Sequence, residues 1–135
     1  MSDTQHPSSA KVRDAIVDFN ADGALTHVID QFAPDAVFIA PGHSAVAGTY
    51  KGHDGIREFF ERLYKISGGS LKVAPFDVMS NDNHLVLFLR FQGERGDKSL
   101  DVTVAGFHSD NSPEGWRRAT FLPADQAAFD SFFAA

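Results

Sequence analysis

The spacing of apolar residues changes character at Gly68-Gly69, and that change constrains the fold more than any other feature of the chain. Before it, Val12, Ala15, Ile16 and Phe19 recur at the spacing of one helical face. Leu25, Val28, Ile29 and Phe32 repeat the pattern, and Ile56, Phe59, Phe60, Leu63 and Ile66 carry it a third time. After Ser70 the period becomes that of strands, over Leu71–Met79, His84–Gln92, Ser99–His108 and Trp116–Leu122, with Asn, Asp, Gly and Pro turns between them. Helices first and strands later predict an α+β fold, with three helices from the N-terminal half gathered on one face of a curved antiparallel sheet.

The punctuation agrees. Pro34 stops the second helix. A short strand, Ala36–Ala40, then runs into Pro41-Gly42, because proline cannot donate to a ladder and glycine permits a sharp turn. Asp54 is placed to cap the third helix, and Gly68-Gly69 closes it. A last short helix starts from Asp125, with Phe129, Phe132 and Phe133 on one side. Residues 1–9 are polar and read as a loose tail, and residues 10–135 as one domain. With 43% hydrophobic residues over 135 positions, a real core can form without staples.

Composition removes several functions. There is no cysteine, so disulfides, thiolate metal sites and a cysteine nucleophile are excluded. The net charge of -6, with 12 scattered Lys and Arg, argues against a nucleic-acid partner. No window reaches the roughly 18 apolar residues of a membrane span, and MSDTQHPSSA does not read as an export signal, so a soluble, cytoplasmic protein is expected. His27, His53, His84 and His108 have no spacing that makes a metal triad, and neither a metal nor another cofactor is expected.

The run LVLFLRF, residues 85–91, is apolar at almost every position, so both faces of its strand should be covered. Helices can cover one face, and a second copy of the chain the other, giving a homodimer through the open sheet face. A two-residue turn at Arg95-Gly96 would pair Arg90 with Asp101, Phe88 with Thr103 and Val86 with Ala105 on one face. Leu89 would then meet Val102, and Leu87 meet Val104, on the other. The second face reads as the dimer surface and the first as the inside of a pocket, where a few polar groups orient a mostly apolar ligand. A slip of one residue would exchange the two.

In the pocket reading Phe38, Phe60, Phe88, Thr103, Phe107 and Thr120 are lining residues, and 13 Phe against two Tyr and one Trp describe an apolar interior. His43, just after the Pro41-Gly42 stop, is a candidate general base or hydrogen-bond donor, or else an ordinary turn histidine. Asp101 with Arg90 is either an interior anchor or a cross-strand ion pair at the rim. Arg118 is either an inward clamp for an anion or carbonyl, or a solvated arginine.

The stretches FAPDAVFIAPG, AGTYKGHDGIREFFERL and GWRRATFLPADQAAFDSFF, in that order, resemble the nuclear transport factor 2-like superfamily, and within it the SnoaL-like polyketide cyclase and ketosteroid isomerase branch. The resemblance spans residues 10–134. It implies a cystatin-like cone of curved sheet closed by helices around a ligand cavity, as a homodimer. Phe60, in IREFF, matches the pocket position on the third helix. The isomerases' carboxylate base, helix tyrosine and donating carboxylic acid fall here at Ala40, Ile16 and near Ala105. The cyclases' acid late in the sheet, assisted by a histidine in the preceding strand, falls in Trp116–Thr120, which reads Trp-Arg-Arg-Ala-Thr. Two functions follow as expectations. One is an isomerase, cyclase or hydrolase moving a proton on a small, largely apolar ligand. The other is a non-catalytic binding or interaction module.

Overall fold

Residues 29–134 are those described by the computed structural model, and their order is strand, strand, helix, four strands, helix. The strands are β1 (Phe32–Ala40), β2 (Gly48–Lys51), β3 (Lys72–Ser80), β4 (His84–Arg95), β5 (Lys98–Ser112) and β6 (Gly115–Pro123). The helices are α1 (Gly52–Ile66) and α2 (Gln126–Phe132). Of the three helices expected in the N-terminal half, only α1 falls among the described residues. The first, the second up to Val28, and the tail over 1–9 lie outside them. Phe32, assigned by its spacing to the second helix, instead begins β1.

All six strands form one curved sheet in the order β2-β1-β6-β5-β4-β3. The expectation of a wholly antiparallel sheet is corrected at one pair, because β1 and β6 run parallel. The path of the chain explains this. β1 turns outward into β2, α1 carries the chain across to the far edge, and the meander β3 to β6 returns to lie beside β1 in its own direction. β2 was missed as a strand because its four residues, GTYK, are too few to show a period.

The β4–β5 hairpin differs in register by two residues from the pairing expected through Arg95-Gly96. Arg95 pairs with Lys98, so the β4–β5 turn is Gly96-Asp97, with Gly96 at φ 63°, a conformation glycine adopts freely. Arg90 therefore faces Thr103, and Phe88 faces Ala105. On β6 the partner of Phe107 is Thr120. A shift of two leaves every side chain on its original face.

The two faces, however, exchange roles. Phe59 of α1 packs on Phe38 and Phe121, and Phe129 of α2 packs on Phe121, with centroids 4.8 to 5.3 Å apart. The helices therefore lie on the face that carries Phe38, Leu85, Leu87, Leu89, Phe91, Val102, Val104 and Phe121, all buried. The Leu and Val side is the inner face, and the side with Phe88, Arg90, Asp101, Thr103, Phe107, Arg118 and Thr120 points away from the helices. Burying Asp101 and Thr103 without partners would cost more than exposing Phe88 and Phe107, so the more polar face stays in water. That outer face leaves Phe76 58%, Met79 56%, Leu122 44% and Phe107 38% exposed.

α1 opens from Lys51, which is still extended and supplies no side-chain cap, so Asp54 serves as a first-turn acid and not as the cap. Asp125 does cap α2, its carboxylate accepting from the Ala128 N–H at 3.0 Å. α2 is short but heavily tied down. Phe129, Phe132 and Phe133 are buried, the Phe132 and Ser131 carbonyls accept from Arg95 at 2.8 Å and Lys98 at 2.9 Å, and Arg95 also reaches the Ala134 carbonyl just past the helix at 2.7 Å. Neither described helix is long and apolar enough to cross a membrane.

Candidate functional site on the inner face

His43 sits in the loop between β1 and β2 with its side chain exposed. What the Pro-Gly-His stretch does is structural. The His43 N–H donates to Asp130 Oδ2 at 3.0 Å, and Gln126 Nε2 donates to Asp130 Oδ1 at 2.9 Å and to the Pro41 carbonyl at 3.2 Å. Gly42, at φ 106°, lies so close that an added Cβ would meet Gln126 Nε2 and sit 2.5 Å from Asp130 Oδ1. The turn is a docking point for α2, which accounts for its sequence without any chemistry at His43.

The other two candidates are on the outer face. Asp101 and Arg90 form a bidentate pair, with contacts of 2.8 and 2.6 Å, in which the guanidinium holds the Asp101 carboxyl below its ordinary range. Both side chains are about half exposed, 53% and 52%, which makes the pair a surface feature. Arg118 is exposed on β6 opposite Ser109. Of the expected lining residues, Phe88, Thr103, Phe107 and Thr120 share that outer face, whereas Phe38 and Phe60 are buried under the helices, 6.1 Å from each other. Asp101 also borders an open groove of about 440 Å³ with Lys72, Gln92 and Glu94. A second groove of about 470 Å³ lies between β2 and α1.

The inner face carries one group that the sequence reading did not select. His108 is on β5, directly opposite Leu85, and is 7% exposed. Its ring lies 5.5 Å from Phe32 at a 33° tilt and 6.0 Å from Trp116, nearly edge-on. Burial pushes its pKa down to about 4, against a smaller upward pull from the carbonyls of Gly106 and Leu85, so the imidazole is neutral at pH 7. Nδ1 is 3.0 Å from the Gly106 carbonyl. A carbonyl only accepts, so Nδ1 carries the proton in this bond and Nε2 is left as an acceptor.

A second histidine is joined to the same group. His53 Nε2 donates to the Phe32 carbonyl at 2.7 Å, from the first turn of α1. Phe32 thus meets His108 with its ring and His53 with its backbone. Phe32 in turn touches Phe38, at 6.2 Å, which leads into the ring cluster of Phe59, Phe60 and Phe121. Tyr50 is the other buried ionisable side chain worth noting, and its hydroxyl donates to the Val46 carbonyl at 2.6 Å. Among the described residues, the buried side chains include no carboxylate, lysine or arginine. The signal for His108 was present in the sequence as Gly106-Phe107-His108, a glycine two residues before a histidine on one strand face. It could be used only once that face was known to be inside.

A profile of the SnoaL-like domain matches residues 12–109. The chain belongs to the SnoaL-like domain family. An uncharacterised protein of Mycobacterium tuberculosis is 32% identical over 121 residues, covering 84% of this chain and 87% of that one. Among solved structures, Bal32a from a soil-derived mobile gene cassette superposes with a TM-score of 0.84 at 27% identity, over 93% of this chain and 95% of that one. TerC, co-crystallised with polyporic acid, superposes with a TM-score of 0.78 at 18% identity, over 95% and 98%. At that identity the likeness to TerC is one of fold. The SnoaL-like identity agrees with the arrangement of β1, α1 and the long meander, while the family's functional groups must be read from this chain's own residues.

Proposed function

We propose that this SnoaL-like chain binds a small, uncharged, largely apolar ligand against the inner face of its sheet, with His108 as the polar contact. The observation that carries the reading is a neutral imidazole buried between Phe32 and Trp116, on the face that the helices cover. The absence of a buried cation among the described residues favours a ligand without negative charge, since nothing there would compensate it. The chemistry open to such a site is proton transfer, in which Nε2 takes a proton from an acidic C–H or hydroxyl, as in isomerisation, cyclisation or hydrolysis.

A second reading, a binding module without turnover, is favoured by a specific observation. Among the described residues no carboxylate is buried with His108 to hold its protonated form, and burial opposes that form strongly. The two are separated by experiment. Binding of 2-naphthol is followed by fluorescence in the unmodified protein and in His108→Leu, and turnover is assayed on a panel of ketones, epoxides and lactones. Binding that weakens about tenfold in the variant supports His108 as the polar contact, at the roughly 1.4 kcal/mol expected of one hydrogen bond. Equal binding by both proteins, or none by either, ends the reading. Turnover decides between enzyme and module.

We also propose a homodimer through the outer face, and not through the Leu and Val side. Phe76, Met79, Phe107 and Leu122 leave an apolar band across β3, β5 and β6, flanked by half-buried Val86 and Phe88. A second copy placed on this band would cover it on both partners. Sedimentation at micromolar concentration should give a dimer mass for the unmodified chain and a monomer mass for Phe107→Asp. A monomer in both refutes the pairing.

A further inference from the structure

We infer that Gly106 is a positioning residue for His108, fixing which ring nitrogen carries the proton and therefore what kind of ligand group the imidazole can receive. This rests on the reading of His108 as the polar contact. The two residues are neighbours on the inner face of β5, one pleat repeat apart. A β-carbon built on Gly106 would stand 3.2 Å from His108 Cε1, closer than ordinary contact, and 4.0 Å from Nδ1. The ring therefore lies over the glycine, in the space a side chain would fill. From there Nδ1 reaches the Gly106 carbonyl at 3.0 Å, while Phe32 and Trp116 hold the ring from its sides.

The chemical consequence follows from the inventory of the ring. A neutral imidazole has one N–H and one lone pair; the carbonyls of Gly106 and Leu85 both act on the ring, and the N–H is assigned to Nδ1 because it is that atom which lies 3.0 Å from the Gly106 carbonyl. Nε2 is then an acceptor only. A ligand is held by donating to it, through a phenolic or enolic hydroxyl, and a ketone oxygen finds no donor there. A β-carbon at 106 requires the ring to give by a few tenths of an ångström, and a longer side chain more, which weakens the bond to the carbonyl and loosens the constraint on the tautomer. Gly93, whose added β-carbon would make contacts of 3.4 Å with Phe132 and Ser70, lies on β4 and serves as a control without any link to the imidazole.

The test is made on the full chain with 15N-labelled histidine. In the unmodified protein at neutral pH, the ring signals of His108 should show the proton on Nδ1. In Gly106→Ala the two tautomers should become comparable, and the affinity of 2-naphthol relative to naphthalene should fall about tenfold, while Gly93→Ala changes neither. A merely structural glycine would lower thermal stability without moving the tautomer or that affinity ratio. A proton on Nε2 in the unmodified protein, or an unchanged tautomer in Gly106→Ala, overturns the proposal. The first of these measurements needs no variant, so it decides even where Gly106→Ala fails to fold. If 2-naphthol does not bind the unmodified protein, the functional reading fails while the tautomer result still stands or falls by itself.

Discussion

Removing the titration of His108 should change how stability depends on pH, by an amount that the structure allows to be worked out. The folded protein holds the imidazole at about 4, against an ordinary 6.5, because the ring is buried among aromatic side chains. The unfolded chain therefore binds a proton before the folded one does, and stability must fall as the pH drops. The contribution is fully present above about pH 6.5, declines through the window from 6.5 to 4, and is entirely lost below it. At about 1.4 kcal/mol per decade of proton affinity, the complete effect is about 3 kcal/mol, of which about 2 kcal/mol is lost by about pH 5. In His108→Leu the titrating group is gone and the volume is roughly kept. The bond to the Gly106 carbonyl is lost as well, which lowers stability by an amount that does not vary with pH. Urea unfolding of both proteins across this window isolates the term, because contributions of the other histidines and the carboxylates cancel in the difference. The gap between the two stabilities should narrow or reverse by about 2 kcal/mol between about pH 7.5 and 5. Parallel curves would mean that the ring is charged or solvated in the folded state, and the inner site would lose its central group.

Other outcomes are expected from the same structure. Asp130→Ala should cost about 1 to 2 kcal/mol in urea unfolding, because it frees the His43 N–H and the Gln126 amide together, whereas His43→Ala should stay within about 0.5 kcal/mol. A larger effect for His43 than for Asp130 would restore His43 as a candidate. Phe59→Ala removes a fully buried ring that touches Phe38, Tyr50, Phe60 and Phe121, and should cost about 3 to 5 kcal/mol by the same assay. Asp101→Asn should leave the melting temperature and 2-naphthol binding unchanged, since its pair with Arg90 is on the outer face; weaker binding would return Asp101 to the site.

Much of the fold was legible because it depends on local period. The stripe Ile56, Phe59, Phe60 and Leu63 became the buried side of α1, Asp125 became a cap, and five of the six strands were readable from apolar runs, alternation and turns. Even in the β4–β5 hairpin, two residues from the expected register, each side chain keeps its face, because the pleat repeats every two. The site was less legible. His43 was selected for its place after the Pro41-Gly42 stop, and Asp101 and Arg118 by assuming which face of the meander was inside, where LVLFLRF, apolar on both sides, gave no local means of deciding.

The amino-acid order by itself determined α1, α2 and five of the six strands, the α+β class and the SnoaL-like identity, since each depends on spacing that a chain displays in one dimension. Tertiary structure alone decided which face the helices cover. That choice is a comparison of two whole surfaces. The Leu and Val side sheds more unfavourable contact with water than the side bearing Asp101 and Thr103, and only when α1 and α2 settle on it does His108 become a buried imidazole and His43 a solvated one.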